Sequence, residues 1–170
     1  GSSEAPLTPE VIEGYRTMGA LAEDDALAKM GPLNHQLACR PFGDNCGFTL
    51  AEASQFLILF DDELAMKMGA NIYGSVADVF INADGFKKSI PGPGIGNYIT
   101  VGKAMGTIKS MLGDQALQQN TYMQAHGTGT PQNRVTESHI FNELAKVYGL
   151  SKWPITAIKA YIGHSLACAS

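Results

Sequence analysis

The amino-acid sequence predicts an α/β layered fold, on three observations. Short apolar or β-branched segments alternate along the chain with segments whose apolar residues recur at helical spacing. Glycine-rich turns follow two of the strand-like segments, as expected where the strands of a layered sheet end. The 170 residues, 45% hydrophobic and 16% charged, are enough to bury a core without a metal or a disulfide.

The first half of the chain is predicted to contain helices and strands separated by turns. Pro9 suits the first turn of a helix, and the apolar residues after it recur at helical spacing. Residues 56–60 are apolar throughout and of strand length, which is typical of a strand buried on both faces. The elements predicted here are a helix over 8–29, a loop over 31–47, a strand within 48–60, a helix over 61–68 and a strand over 72–81.

The second half is predicted to continue the alternation of strand and helix. Gly149 follows a segment of helical periodicity and should end that helix, because glycine readily adopts the left-handed conformation found at helix C-termini. The elements predicted here are a glycine- and proline-rich loop over 82–97, a helix over 98–112, a strand over 121–125, a helix over 136–148 and a strand over 155–160.

Charge and composition argue against several classes of function. The net charge is -4 and the longest basic cluster is Lys87-Lys88, which argues against a nucleic-acid or anionic-membrane partner. No apolar run approaches the ~18 residues of a membrane-spanning helix, and no signal-peptide pattern opens the chain. The three cysteines form no Cys-x-x-Cys pair, and no glycosylation sequon is present. A cytoplasmic location, with no membrane and no nucleic acid among the partners, is therefore expected.

Two histidines and a lysine are the candidates for chemistry. His126 follows one predicted strand and precedes a glycine-rich turn, and His164 follows another predicted strand and Gly163. Because the ends of neighbouring strands meet at one edge of a sheet, the two imidazoles should converge there. The alternative is that each histidine only caps its own turn. Lys159 lies on a mostly apolar predicted strand, so it should be buried, and Glu137 is the acidic partner that its burial would require.

Two motifs resemble the signatures of a known family. Residues 125–131, Ala-His-Gly-Thr-Gly-Thr-Pro, resemble the His-Gly-Thr-Gly-Thr signature of the β-ketoacyl-acyl-carrier-protein synthases, condensing enzymes of the thiolase superfamily. Residues 159–165, Lys-Ala-Tyr-Ile-Gly-His-Ser, resemble their second signature, a lysine five residues before the histidine of Gly-His. The further stretches that resemble the family, in the same order along the chain, are residues 1–9, 40–43, 46–48 and 82–85. Residues 1–3 can also be interpreted as a cloning scar.

The resemblance implies a fold and a reaction. The implied fold is the thiolase-like layered fold (α-β-α-β-α), incomplete in this chain, with residues 1–35 ending the N-terminal thiolase-like half and residues 36–170 forming most of the C-terminal half. The implied activity is that of a 3-oxoacyl-ACP synthase, an acyltransferase that condenses a decarboxylated malonyl thioester with an enzyme-bound acyl group. No cofactor and no metal is implied, because phosphopantetheine of acyl carrier protein holds the substrates. The implied partners are acyl carrier protein and a second copy in a homodimer.

The resemblance also implies a role for each site residue. His126 and His164 would donate hydrogen bonds to the enolate oxygen, where negative charge develops. Lys159 would support the site electrostatically, with Glu137 as its supporting partner. The residues that match the family's contacts to the pantetheine arm of the substrate are Thr128 and Thr130.

Departures from the family pattern affect the expected chemistry. Residues 51–53 read Ala-Glu-Ala in place of Gly-Glu-Gly, so two extra methyl groups should crowd a tight backbone passage. Arg134 stands where the family keeps an acid, and it brings positive charge towards the region of Lys159. The family's nucleophilic cysteine lies upstream of Gly1, and Cys168 is interpreted as a small buried hydrophobic residue. The chain alone is therefore expected to be inactive in condensation, and to expose a large apolar surface unless another segment covers its strands.

Other interpretations remain open from the sequence. A catalytically silent partner of the chain-length-factor type, or another acyltransferase of the same fold, fits the same layout, although the retained histidines and lysine favour the synthase. His35 and Cys39, like His164 and Cys168, are four residues apart as zinc ligands can be, but nothing joins the two pairs. The glycines of residues 91–96 are in the wrong order for a dinucleotide-binding turn.

Overall fold

The computed structural model describes residues 1–85 and 94–169, which form a mixed α/β structure. Within these ranges the elements are β1 Ser2–Glu4, α1 Pro9–Thr17, α2 Asp24–Ala28, β2 Ala53–Gln55, α3 Asp62–Lys67, α4 Ile95–Gln119, β3 Met123–Gln124, α5 Pro131–Tyr148, β4 Ile155–Thr156 and α6 Lys159–Ile162. Two short 3₁₀ turns are His35–Leu37 and Leu166–Cys168. None of the helices in the described ranges is both long and apolar enough to cross a membrane.

The core lies between helices α4 and α5, which pack against each other and against the end of strand β3. Helix α5 begins after its N-cap Thr130, whose hydroxyl accepts a hydrogen bond from Asn133 N. It ends at Gly149, which adopts the left-handed conformation (φ 65°), so the helix end predicted from the sequence is confirmed. The buried core residues are Met105, Leu117, Ala125, Ile140, Phe141 and Leu144.

Short strand pairings bring distant parts of the chain together. Strand β1 pairs antiparallel with β2, and β3 pairs in parallel with β4. Single bridges join Leu21 to Phe48 and Leu50 to His164. The second bridge ties the segment that leads into β2 to the second histidine motif, so these pairings decide where the candidate site residues lie.

The strand predicted within 48–60 is present only as β2, Ala53–Gln55, whereas the apolar run 56–60 and the strand predicted over 72–81 are not strands. Residues 56–60 have no regular secondary structure and are 47% to 84% exposed. Residues 72–81 also form no strand, and Tyr73 and Ile81 are 95% and 88% exposed. A strand buried on both faces needs neighbours that bond to it and cover it, and the described residues supply none to either segment. The large exposed apolar surface expected from the sequence is therefore present.

Helix boundaries differ from the predicted ones, and two of the differences occur at glycines. The helix predicted over 8–29 is divided into α1 and α2, with Gly19 in the left-handed conformation between them. The helix predicted over 98–112 extends over Ile95–Gln119, with non-helical backbone at Gly113. The helix predicted over 61–68 corresponds to α3. Of the loop predicted over 82–97, residues 86–93 lie outside the described residues.

Candidate active site

The structure brings the two candidate histidines together. The ring centroids of His126 and His164 are 5.6 Å apart, and the rings meet edge to face at 85°. His126 follows strand β3, whose pairing with β4 is extended by a hydrogen bond of 2.8 Å from Ala125 N to Thr156 O. The prediction that the two imidazoles converge is confirmed, whereas their catalytic role stays a prediction.

His164 reaches this position by a different route from the one predicted. It does not follow a strand directly, because strand β4 ends at Thr156 and helix α6 comes between. Instead, His164 N donates to Thr49 O at 2.7 Å, and His164 O accepts from Ala51 N at 3.1 Å. Backbone hydrogen bonds on both sides of the residue therefore hold the second histidine in place.

The tautomer of His164 is set by a neighbouring backbone group. Leu166 N donates to His164 Nδ1 at 3.1 Å. A ring nitrogen that accepts a hydrogen bond carries no proton, so the neutral imidazole carries its proton on Nε2. Leu166 adopts φ 49°, which is uncommon for a residue with a side chain, and in this conformation its N–H points at the ring. His164 Nε2–H is therefore the donor that the site can offer.

The surroundings of both histidines favour the neutral form. His164 is 7% exposed, and its burial, followed by the charges of Lys159 and His126, lowers its pKa from 6.5 to about 4. Burial and then the charge of Lys159 also lower the pKa of His126, while Glu137 opposes that shift. The side chain of His126 is exposed to solvent in this chain, whereas that of His164 is buried. Both shifts favour the neutral imidazole.

Glu137 is buried and binds the backbone of the first histidine motif. Its carboxylate accepts hydrogen bonds from His126 N and Gly127 N, each at 2.8 Å, and from Asn133 Nδ2 at 2.6 Å. Glu137 is 4% exposed, and three N–H donors are what a buried carboxylate needs in place of water. Helix α5 therefore holds the turn that begins at His126 through this one side chain.

Lys159 is buried, as predicted, but it makes no direct ion pair with Glu137, whose charge acts on it from a greater distance. Its side chain is 1% exposed, and Nζ donates to His126 O at 2.7 Å and to Ala169 O. No ion pair joins Lys159 to a carboxylate in the described part of the chain, and the carboxylate of Glu137 accepts from N–H donors instead. Burial lowers the pKa of Lys159, and the charges of Glu137 and Cys39 oppose this. Lys159 also begins helix α6 rather than lying on a strand.

Thr128 and Thr130 lie side by side in the turn before helix α5. Their hydroxyl oxygens are 3.0 Å apart, and Thr128 is buried. Between them, Gly129 has φ 81°, and a Cβ at this position would lie 2.9 Å from Gly47 O, so a side chain does not fit there. These contacts explain the Gly-Thr-Gly-Thr turn structurally. The role of the two threonines in holding a pantetheine arm stays a prediction.

Arg134 does not bring its charge to Lys159, contrary to the sequence-based expectation. Its guanidinium donates to Gly43 O at 2.7 Å and to the carboxylate of Asp44 at 3.2 Å. The arginine therefore joins helix α5 to the loop before Phe48 instead of entering the site. An open cleft of about 650 Å³ lies along this contact, and none of the predicted catalytic residues lines it.

Ala51 is accommodated because it faces a glycine. A Cβ added to Gly163 would lie 3.0 Å from Ala51 Cβ, so the space next to the alanine methyl group is left open by the missing side chain of Gly163. The crowding expected from the Ala-Glu-Ala sequence is thereby relieved at this position. Glu52, between the two alanines, accepts a hydrogen bond of 3.2 Å from Leu7 N.

The three cysteines are free thiols. Cys168 is buried, as expected for a small apolar residue, and its sulfur lies 3.1 Å from Ser2 Oγ and 3.2 Å from Ala53 O. His35, half of one predicted zinc pair, is exposed and contacts Asp24. Among the described residues, no three His, Cys, Asp or Glu side chains are grouped as a metal ion would require.

Sequence reasoning missed three groups that hold the site. They are the side-chain amide of Asn133, the N–H of Leu166 and the carbonyl of Ala169. Asn133 could have been found, because it lies four residues before Glu137 and would share a helix face with it. The two backbone groups left no signal, since every residue type carries the same backbone N–H and C=O.

Comparison with known sequences connects this geometry with one family. The family model described as Beta-ketoacyl synthase, C-terminal domain, matches residues 73–170. The chain is 54% identical to the Beta-ketoacyl-[acyl-carrier-protein] synthase FabY of Pseudomonas aeruginosa, over 100% of this chain and 27% of that protein. It is 33% identical to 3-oxoacyl-[acyl-carrier-protein] synthase 2 of Synechocystis sp., over 98% of this chain and 37% of that protein.

Solved structures show the same likeness. The crystal structure of the ketosynthase FabY from P. aeruginosa matches with a TM-score of 0.93 at 54% identity, over 98% of this chain and 27% of that one. The AntDE:AntF complex, a type II PKS acyl-carrier protein with its ketosynthase, matches with a TM-score of 0.79 at 30% identity, over 99% of this chain and 39% of that one. The thiolase-like fold predicted from the sequence is thereby confirmed, and the chain spans only 27% to 39% of the length of these relatives. The chain belongs to the β-ketoacyl synthase family.

Proposed function

We propose that the intact protein containing this chain is a β-ketoacyl-acyl-carrier-protein synthase, which elongates a fatty-acid or polyketide chain by decarboxylative Claisen condensation. The observation that carries the proposal is the pair of imidazoles with centroids 5.6 Å apart. His164 offers an Nε2–H donor because Leu166 N occupies its Nδ1. Two neutral N–H donors at one point are what a developing enolate oxygen requires.

In the proposed reaction a malonyl thioester binds with its thioester oxygen between His126 and His164. The bond from the malonyl methylene to its carboxylate breaks, CO₂ leaves, and the electron pair forms an enolate whose oxygen accepts both N–H hydrogen bonds. The enolate carbon attacks the acyl group held on a cysteine that lies outside these 170 residues. The cysteine thiolate leaves, and the product is a β-ketoacyl thioester on the carrier.

The buried groups around the histidines support this reaction. Lys159 donates to His126 O, and its charge contributes to lowering the pKa of both histidines, which keeps the two donors neutral. A buried ammonium also favours the negative charge of the enolate. Glu137 positions His126 through the backbone, and the residues proposed to hold the pantetheine arm are Thr128 and Thr130.

The proposal includes acyl carrier protein as the partner and no cofactor or metal. It is supported by the likeness to a ketosynthase solved in complex with its acyl-carrier protein. A homodimer of the intact protein, with residues 1–35 and 36–170 belonging to its two thiolase-like halves, would help to cover the apolar residues exposed here. A cytoplasmic location is supported by the three free cysteines. A silent chain-length-factor role is not favoured, because the histidine pair and Lys159 are arranged for chemistry.

The decisive experiment measures malonyl-ACP decarboxylation by the intact protein. His126→Ala or His164→Ala should each lower kcat by about 10²–10³-fold, since each removes one donor to the enolate oxygen. His35→Ala is the matched control, because His35 is exposed and pairs with Asp24 away from the site. Release of CO₂ from labelled malonyl-ACP gives the rate. Site variants as fast as His35→Ala would contradict the proposal.

A further inference from the structure

We propose that Asn133 is a positioning residue of the site: its side-chain amide holds the carboxylate of Glu137 against the backbone of His126 and thereby fixes the oxyanion-binding imidazole. The inference rests on the proposed function for its kinetic consequences. Its geometric content, a link from Asn133 through Glu137 to His126, does not depend on the substrate.

Glu137 depends on three hydrogen-bond donors, of which one belongs to a side chain. The carboxylate is 4% exposed, and no cation pairs with it among the described residues. Two of its three donors are backbone N–H groups, at 2.8 Å each, and Asn133 Nδ2 is the side-chain donor, at 2.6 Å. A buried carboxylate has hydrogen-bond donors in place of water, so the loss of one donor of three is costly. Asn133 therefore supplies the one donor of the three that a substitution can remove.

The backbone that Glu137 holds is tightly packed. Gly127 has φ 53°, and a Cβ there would lie 2.4 Å from Ala157 Cβ, so the turn has no room to relax towards β4. On the carbonyl side of His126, Lys159 Nζ donates a hydrogen bond to His126 O at 2.7 Å. His126 thus has a buried anion at its N–H and a buried cation at its C=O. A shift of either charge moves the imidazole relative to His164.

The first turn of helix α5 holds Asn133 in place. Its backbone N–H is bound by Thr130 Oγ1, the N-cap hydroxyl of helix α5, and its amide lies one helical turn before Glu137. The other titratable groups near this network are Lys159 from α6, His126 after β3, His164 after α6 and the thiol of Cys39. Arg134, the next residue, binds Asp44 and leaves the carboxylate to Asn133.

The test uses Asn133→Asp, which keeps the shape of the side chain but replaces the amide by a group that can ionise. In Asn133→Asp two carboxyl groups face each other at about the same separation, and such a pair shares one proton, which it loses only when the pH is raised. With that proton the aspartic acid still donates to Glu137, and without it the two carboxylates repel. Asn142→Asp is the matched control, because Asn142 Nδ2 makes the same kind of contact, 3.1 Å from Glu143 Oε1, on the exposed side of the same helix.

We expect the decarboxylation rate of the intact Asn133→Asp protein to be within about threefold of wild type at low pH and to fall by at least tenfold as the pH rises, an ionisation absent from wild type and from Asn142→Asp. Asn133→Leu should be slow at every pH. A folded Asn133→Asp protein whose pH profile parallels that of wild type would overturn the inference.

A second measurement does not depend on enzyme activity. The ring protons of His126 and His164 are titrated by NMR in the intact wild-type and Asn133→Leu proteins, with His→Gln variants for assignment. Because Glu137 raises the pKa of His126 and His164 feels this change only through the charge of His126, Asn133→Leu should shift the titration of His126 more than that of His164. An unchanged His126 titration in the folded variant would overturn the inference. If wild type fails to decarboxylate malonyl-ACP, the proposed function fails, and this titration still decides the role of Asn133.

Discussion

Two buried charges near the histidines, Lys159 and Glu137, are satisfied by the backbone rather than by each other. The ammonium binds two carbonyl oxygens, and the carboxylate binds two backbone N–H groups and an amide. Both therefore hold the chain around His126 as well as contributing charge. Replacing either by an apolar residue would leave at least two buried backbone groups without a partner, which costs more than the loss of the charge alone.

The buried His164 predicts how stability depends on pH. Its pKa is about 4 in the folded protein and 6.5 as a free side chain, so the unfolded state binds more protons between these values. The contribution is fully present above pH 6.5 and is lost as the pH falls to about 4, by up to about 3 kcal/mol. Denaturant unfolding of the intact protein at pH 7 and pH 4.5 should show a larger loss of stability for wild type than for His164→Asn. Equal losses would mean that His164 is not buried in its neutral form.

At the scale of elements, the strands contribute little to the placing of the two histidines. Strands β3 and β4 have two residues each; His126 follows β3 after Ala125 and precedes a glycine-rich turn, and His164 follows helix α6 and Gly163. Close backbone contacts set the geometry of these turns, as at Gly47, where a Cβ would lie 2.3 Å from the backbone carbon of Leu21. The bridge between Leu21 and Phe48 lies directly beside that contact.

Gly47 and Gly14 offer a matched pair of glycine substitutions. Gly47→Ala should lower the free energy of unfolding by about 3 kcal/mol, because the new methyl group overlaps backbone that cannot move away. Gly14→Ala, in the exposed face of α1 with nothing within 4 Å of the new Cβ, should raise it by about 1 kcal/mol through helix propensity. Thermal and denaturant unfolding of the intact protein measure both. A Gly47→Ala variant as stable as wild type would show that the chain does not pass this close to Leu21.

At the scale of the whole molecule, the exposed apolar residues are the main feature. Residues 56–60 and several apolar side chains of residues 72–81 lie on the surface, whereas the core between α4 and α5 is well buried. Apolar surface of this extent is rare on a monomer that functions alone. The family relatives are about three to four times as long as this chain, so further segments are available in them to cover such residues.

The 170 residues alone are predicted to have no condensing activity. Cys168 is buried against Ser2 and Ala53, and burial raises the pKa of Cys39, so neither thiol is suited to carry an acyl group. The purified chain is assayed for β-ketoacyl product beside the intact protein, and light scattering should show self-association through its apolar surface. Residual malonyl decarboxylation is compatible with the prediction, because the two histidines are present. Turnover to a β-ketoacyl product would refute it and make Cys168 the first candidate nucleophile.

The sequence by itself determined the α/β class, the end of α5 at Gly149, the meeting of His126 and His164 and the burial of Lys159. Helical periodicity, glycine conformation and the two motifs are local signals, and they survive in any context that lets the chain fold. The tertiary structure alone decided that residues 56–60 and 72–81 form no strand, because a strand needs partners that composition cannot supply. It also decided that Lys159 binds carbonyls while Glu137 binds N–H groups and Asn133. A buried charge requires a partner, but its residue type does not say whether that partner is a side chain or the backbone.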